Sequence, residues 1–474
     1  MMYDYVIVGG GPTGITLATM LANTKHKTLL LESEHSLGGN WKIDWDQNTN
    51  QYMTEHSPKV LFSSNHYFFQ LLNQIGATSH NNTHNIYGKF GNLNIVKSFL
   101  KHMSFMDTLK LTSVIMSYFL NPNGFKYYQS IKKWAHENHI SEKGIGFLKV
   151  MAIISSNTYD KVCMGAFIEF AVIDPGIFFD LVYLNRPNDW IKQAYRYIFS
   201  HDNMNIILRT KITSIDDVQG IVRDESGNTY MGKNIILATP LQACYEIIQR
   251  SSRDLKSNWF KSMNSFKRFV DKSTYIGLGF QLHFTEKVTI PSEWCWSCFN
   301  DWTVIILEKS IEQDMLSRDP KVKCVWSCVV VDLDTKSKRI NKTANECDTM
   351  DEIIEESIDQ INKQRQIPIP KPYKTTYHHN IVRKNNKWDT INSSYANAVG
   401  RVPYQGKKVK NVFMVGPHNL GSLTTIEHAI KSAVIFGNNK RLNHIFKVRS
   451  YTLLFVFLSI IMAYISVYLV AHKM

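Results

Sequence analysis

The sequence predicts an α/β fold: a Rossmann-like domain, an inserted α+β domain and a C-terminal transmembrane helix. Three observations carry this expectation. Residues 5–32 run strand, glycine turn, helix, strand. The helical and strand-rich blocks that follow give way at residue 411 to a second strand, loop and helix of the same kind. Tyr451 to Ala471 form a stretch of 21 residues without a charge.

The first strand is Tyr5-Val6-Ile7-Val8, followed by Gly9-Gly10-Gly11-Pro12-Thr13-Gly14, a helical stretch Ile15 to Asn23, and Thr28-Leu29-Leu30-Leu31-Glu32. Gly9 makes the tight turn out of the strand, Gly11 lets the backbone approach a pyrophosphate, and Gly14 lets the helix pack on the strand. The helix start at Pro12 and Thr13 points free N–H groups at the phosphates. Glu32, 18 positions after Gly14, is placed to accept hydrogen bonds from a ribose hydroxyl pair and to repel a 2′-phosphate. A glycine triplet alone is weak, but in this βαβ setting it predicts dinucleotide binding. A second glycine turn, Gly38-Gly39-Asn40-Trp41, permits another close backbone approach along the same ligand.

Bulk properties narrow the partners. At 474 residues the chain calls for two or three domains. The net charge of +14 comes from dispersed Lys and Arg with no arginine-rich run, so an anionic membrane surface or a polyanionic cofactor explains it and nucleic acid is not expected. The seven cysteines are too few and odd in number for a disulfide framework. Cys295 and Cys298, like Cys324 and Cys328, sit in β-type runs and read as buried sheet cysteines; no metal site is expected. The chain enters its first strand at Tyr3 without a basic leader, so no signal peptide is expected. Lys440, Arg441, Lys447 and Arg449 before the uncharged stretch predict a single-pass membrane anchor with the large domain in the cytosol. The sequons at Asn81, Asn341 and Asn392 would then stay unmodified.

Along the chain, Tyr52 to Gly76 starts extended and ends in an amphipathic helix with Phe68, Leu71, Leu72 and Ile75 on one stripe; His56 lies in the turn before it. Phe99 to Leu120 and Tyr127 to Glu137 read as helices broken at Asn121-Pro122-Asn123-Gly124, an insert able to wall an apolar pocket. Asn205 to Leu208, Thr210 to Ile215, Ile221 to Arg223, Thr229-Tyr230 and Asn234 to Pro240 form a meander that rejoins the nucleotide unit. Thr274 to Phe284, Trp302 to Glu308 and Val322 to Asp332 form an antiparallel sheet, backed by a helix Met350 to Gln364. Asn411 to Gly416, the loop from Pro417, and a helix from Ala429 to Phe436 supply a second helix N-terminus, with Thr424, Thr425 and Glu427 near its cap. The divisions are 1–95, 201–250 and 406–445 for the nucleotide domain, 96–200 for the helical insert, 251–405 for the substrate domain and 451–471 for the anchor.

Taken in order, Gly9-x-Gly11-x-x-Gly14 with Glu32, Gly38-Gly39, the Lys211-Ile212 meander ending in Ala238-Thr239-Pro240, and Gly416 to Ser432 resemble the FAD-dependent amine oxidase superfamily, which includes polyamine oxidases, protoporphyrinogen oxidase and carotenoid desaturases. The resemblance implies FAD as cofactor, held by Gly9, Gly11, Pro12, Thr13, Gly14, Glu32, Gly38, Gly39, Asn40, Trp41, Ile212, Gly416, Thr425, Ile426 and Glu427. It implies hydride transfer from an amine or activated C–H bond of a small-molecule substrate. A membrane-associated desaturase or oxidase of an isoprenoid-like substrate and a catalytically degenerate scaffold are the alternatives. Departures fall at Asn40, where the family often has Arg, at Pro417 for an acid, and at His428 for a glycine. No cysteine follows Cys347, so the FAD would be non-covalent. His428 and Tyr404 are candidates for the flavin neighbourhood.

Overall fold

The computed structural model describes the chain except residues 46–50, 60, 63, 78–86, 89–102, 122–123, 155–157, 170–180, 183, 185–187, 275, 291–294, 299–300, 310–317, 392–398, 423–424 and 448–474. Its frame is a seven-stranded sheet drawn from three separate parts of the sequence. Strand β1 (Met2–Val8) lies between β2 (Thr28–Leu31) and a long strand, Thr229–Leu237, parallel to both. Helix α1 (Pro12–Ala22) makes the crossover, and β3 (Met204–Ile207) extends the sheet beyond β2. On the other side β4 (Ile212–Asp216) and β5 (Ile221–Asp224) are antiparallel to each other.

The meander expected as two short strands after the Gly227 turn is instead one nine-residue strand, β6 (Thr229–Leu237). Two different partners share its outer edge. Thr229 to Met231 pair antiparallel with β5, and Ile235 to Leu237 pair parallel with Val412–Met414. Gly232 sits between the two, where a Cβ would press on Val6. No local pattern reveals this continuity, because the second partner lies some 180 residues later in the sequence.

Strand alternation divides the core. Ile7, Leu30, Ile236 and Phe413 face α1, α2 (His66–Gln74) and the terminal helix. Val6, Val8, Leu29, Leu31, Ile235 and Leu237 face the other way and share one apolar core with the helices Phe105–Leu120, Ile131–Glu137 and Leu241–Gln249. The first of these helices begins at 105 because Ser104 and Asp107 close a reciprocal cap, at 3.1 and 3.3 Å.

The second sheet is antiparallel throughout, in the order β8 (Cys295–Cys298), β9 (Val304–Glu308), β10 (Cys324–Val330), β7 (Leu278–Phe284), β11 (Lys374–Tyr377). One face, with Leu278, Phe280, Leu282, Trp326 and Cys328, packs against the helix Met350–Arg365. Gln281, His283 and Ser327 are fully buried on the opposite face. That polar face meets the segment after the second glycine turn: Gln281 Nε2 donates to Glu55 O at 3.2 Å, and Thr376 Oγ1 donates to Met53 O at 2.8 Å. Cys163, Cys244, Cys324, Cys328 and Cys347 are free and buried.

The fold class needs one correction. Among the described residues no helix is long and apolar enough to cross a membrane. Tyr451 to Ala471, on which the transmembrane helix and the lipid partner rested, lie outside the described residues, as do Thr424 and the sequons at Asn81 and Asn392. An uncharged run in the sequence fixes hydrophobicity and length but no placement. Over the described residues the fold is a Rossmann-like α/β domain with an inserted antiparallel-sheet domain, and no membrane helix is part of it. The strand Val412–Met414, β12, and the terminal helix, α3 (Ile426–Asn439), complete it.

Candidate cofactor site

Gly9 has φ +104°, and a Cβ there would crowd Ala238 O and Thr239, so the turn out of β1 admits only glycine. Gly14 faces the same turn from inside the helix; any side chain would overlap Gly9 O. At Gly11 the situation is reversed, since a Cβ would meet nothing within 4 Å. Gly11 is also the residue before α1, it offers no side chain to cap it, and Pro12 opens the helix. The first N–H groups of α1 therefore have no side-chain cap, and the space beside Gly11 is open. That is the arrangement for a phosphate at a helix start.

Around this opening the other glycines serve backbone approach. Gly38 N–H donates to Gly10 O at 2.8 Å, and a Cβ on Gly39 (φ +52°) would come within 3.2 Å of Gly11 Cα. Trp41 closes a short 3₁₀ turn over Gly39–Trp41 and leans toward Phe68, ring centroids 6.5 Å apart; Asn40 lies within that turn. Glu32 is buried at the end of β2. Its Oε2 accepts from Gly10 N–H at 2.6 Å, and its Oε1 accepts from Glu34 N–H and the Ser33 hydroxyl at 2.9 and 3.0 Å. Three of roughly four carboxylate lone-pair positions are thereby filled, which orients the group and leaves room for one more donor. Thr210 N–H donates to Glu32 O at 2.8 Å, and Ile212, two residues on, is buried at the start of β4.

The terminal segment arrives at the same place. Thr13 Oγ1 in the first turn of α1 donates to Ala429 O in the first turn of α3 at 3.2 Å. Thr425 caps α3, its Oγ1 accepting from His428 N–H at 3.2 Å, and Ile426 is buried next to it. Gly416 N–H is bonded to Asn419 Oδ1 at 2.8 Å, and a Cβ on Gly416 would strike the His418 ring. Pro417 opens the 3₁₀ turn Pro417–Asn419. Ser422 Oγ, fully buried in the loop before α3, has no hydrogen-bond partner among the described residues.

Three candidates are committed elsewhere. Glu427, expected at the cofactor, caps α2: its two oxygens accept from Tyr67 N–H and Phe68 N–H at 2.9 and 3.0 Å. Spacing near a helix start suggested a ligand, but the neighbouring helix start claims the charge first. The Tyr404 hydroxyl donates to Ser432 O at 3.1 Å, and burial pushes its pKa up to about 12. His428 Nδ1 lies 2.9 Å from Thr425 Oγ1, which holds the ring against the helix cap.

Sequence reading passed over a polar group at the seam between the two sheets. Lys59 Nζ donates to Lys42 O at 3.0 Å and pairs with the buried Glu55 at 3.4 Å. Asp44 Oδ2 lies 3.1 Å from His378 Nε2, and the His379 ring lies tilted against His378, centroids 4.2 Å apart. The ligand atoms of Asp44, His378 and His379 fall within 4.8 Å of one another, the spacing of a metal site. Asn380 N–H, however, donates to His378 Nδ1 at 3.2 Å, which leaves the ring proton on Nε2, directed at Asp44. A proton, then, joins this pair. Only the His-His doublet could have signalled it in the sequence.

The model of the NAD(P)-binding Rossmann-like domain family matches residues 7–75. No curated protein matches the chain. Among solved structures, putrescine oxidase bound to putrescine is similar over 93% of this chain and 99% of its own, with TM-score 0.62 and 10% identity. Cyclohexylamine oxidase from Brevibacterium oxydans IH-35A is similar over 93% and 99%, with TM-score 0.56 and 13% identity. An oxidoreductase from Methanosarcina mazei is similar over 92% and 100%, with TM-score 0.58 and 12% identity. The fold that the resemblance implied is thus borne out: this chain shares it with these oxidoreductases over nearly its whole length.

Proposed function

We propose that the chain is an FAD-dependent oxidoreductase of the amine oxidase type, acting on a small-molecule amine or a substrate with an activated C–H bond. The observation that carries the reading is the uncapped start of α1 behind Gly11, where a side chain would stand in open space. Glu32 and the Gly38-Gly39 turn close around that start on two sides, and the first turn of α3 on a third. The buried, unpartnered Ser422 Oγ fits the same group, since a native interior rarely leaves a polar atom unpaired without a ligand or water to meet it.

Bound FAD supplies the redox chemistry, accepting a hydride equivalent from the substrate. The protein binds, orients and encloses. The N–H groups of Thr13 and Gly14 would hold the pyrophosphate, and Glu32 would take a ribose hydroxyl with its remaining lone pair. The backbone at Ile212 would meet the adenine, and Gly39 would let the chain pass close to the cofactor. The polar face of the second sheet, buried against residues 53–57, excludes water from the reacting region. Since no cysteine follows Cys347, non-covalent retention is the form of binding proposed.

The test is direct. Purified chain should show flavin absorbance or take up added FAD at one per chain, and under anaerobic conditions putrescine or cyclohexylamine should bleach it. A colourless protein that takes up no FAD overturns the reading. Bleaching by lipid extracts but by neither amine would replace the amine by a lipophilic substrate.

A further inference from the structure

The segment Glu55-His56-Ser57 is seated on β7. Gly279 of that strand has no side chain, and a Cβ there would overlap the His56 carbonyl. The His56 ring keeps some accessible surface, but its Nδ1 is buried and makes no hydrogen bond. Burial above all, with His378 and Lys59 adding to it, lowers the pKa of His56 to about 3. At neutral pH the ring therefore carries one proton. A buried N–H without a partner is the rarer and costlier of the two ways to leave Nδ1 unpaired. The proton accordingly sits on Nε2, and His56 offers an uncharged donor from the accessible part of its ring.

A dinucleotide laid from Glu32 past Gly11 and Gly39 would extend toward this seam. Glu32 marks the ribose, while Gly11 and Gly39 mark the pyrophosphate. The chain leaving Gly39–Trp41 reaches Lys42, whose carbonyl takes the Lys59 ammonium, and Lys59 is paired with Glu55 beside His56. Glu55 is fully buried, and its Oε1 is a second polar atom in the seam without a hydrogen-bond partner among the described residues. The charged groups around His56 are Glu55, Lys59 and Asp44, the last bonded to His378, and Lys309 Nζ donates to Lys59 O at 3.2 Å.

We propose that His56 donates a hydrogen bond from Nε2 to the isoalloxazine ring of FAD bound in this seam and thereby favours its reduced form. The inference rests on the FAD reading above. Reduction places electron density on the acceptor atoms of the ring, so a fixed donor strengthens its bond in the reduced state and adds no net charge to a buried site.

The experiment uses full-length protein loaded with FAD, with His56→Leu, which removes the donor at similar volume, and His56→Gln, which keeps one. The reduction equilibrium is measured against phenosafranine at neutral pH. The Leu variant should hold FAD at one per chain with the equilibrium displaced about tenfold toward the oxidised form, and the Gln variant should stay within about threefold of wild type. A flavin-loaded Leu variant within twofold of wild type overturns the proposal. Nitrogen-15 spectra of histidine-labelled wild type, with the Gln variant identifying the His56 signals, give a second measurement that needs no Leu variant. A ring protonated at Nδ1, or an Nε2 signal unmoved by FAD, overturns it as well. Wild type that takes up no FAD is a failure of the underlying reading, recognisable before any variant is made.

Discussion

Glu427, in the first turn of the last helix, caps α2 by accepting the N–H of Tyr67 at 2.9 Å, and that of Phe68 at 3.0 Å, from 360 residues away in sequence. The carboxylate is buried and meets the positive end of the α2 dipole. Its role is to fix the terminal segment against the N-terminal unit. Glu427→Ala should cost about 3 kcal/mol in urea unfolding, because two charge-assisted bonds are lost and two buried N–H groups are left unpaired. The affinity for FAD should stay within about threefold, measured by fluorescence titration. A large loss of affinity with unchanged stability would return Glu427 to the cofactor.

The glycines of the first turn should separate into two kinds. Gly11→Val should fold with stability within about 1 kcal/mol of wild type, since its φ of −71° is ordinary and the space is open. FAD affinity should fall at least about 100-fold, because the side chain occupies the phosphate position. Gly14→Ala should instead destabilise the chain itself by about 3 kcal/mol or more through its overlap with Gly9 O. Thermal unfolding of the cofactor-free variants distinguishes the two.

Stability should decline on mild acidification, and His418 should account for a measurable share. Burial holds its folded pKa at about 3, below the usual histidine value of 6.5. Above pH 6.5 neither state binds the proton and nothing changes. Below it the unfolded chain takes up a proton that the folded chain refuses, so stability falls with each pH unit until about pH 3. Between pH 7 and pH 5 the loss from this group is about 2 kcal/mol. Urea unfolding of His418→Asn at the two pH values should show a drop smaller by that amount.

Asp44 makes the opposite case at lower pH. Burial alone would raise its pKa, but the hydrogen bond from His378 and the nearby Lys42 charge hold it below the usual 3.8. Its contribution is present above about pH 4 and disappears as pH falls through the lower folded value. Asp44→Asn should cost about 1–2 kcal/mol at pH 7 and flatten the stability profile below pH 4. Hydrogen exchange should show residues 42–45 opening more readily from the second sheet.

Sequence alone determined the βαβ unit. Gly9, Gly14 and Glu32 act within one turn and its flanking strands, where local sterics and a short spacing leave few alternatives. It also placed a helix ending at Leu120, though from Phe99 where the structure starts it at Phe105 behind the Ser104 cap, and three strands of the second sheet, because hydrophobic patterning is local. Tertiary structure alone decided which polar groups are available. Glu427 is spent on α2 and Tyr404 on α3. Asp44 is tied to His378, whose ring proton is fixed by Asn380, and His56 is left with an unpaired nitrogen against Gly279. Each of these outcomes depends on partners up to several hundred residues apart. A side chain's chemistry is written in its identity, but its availability is set by which buried donor or acceptor reaches it first.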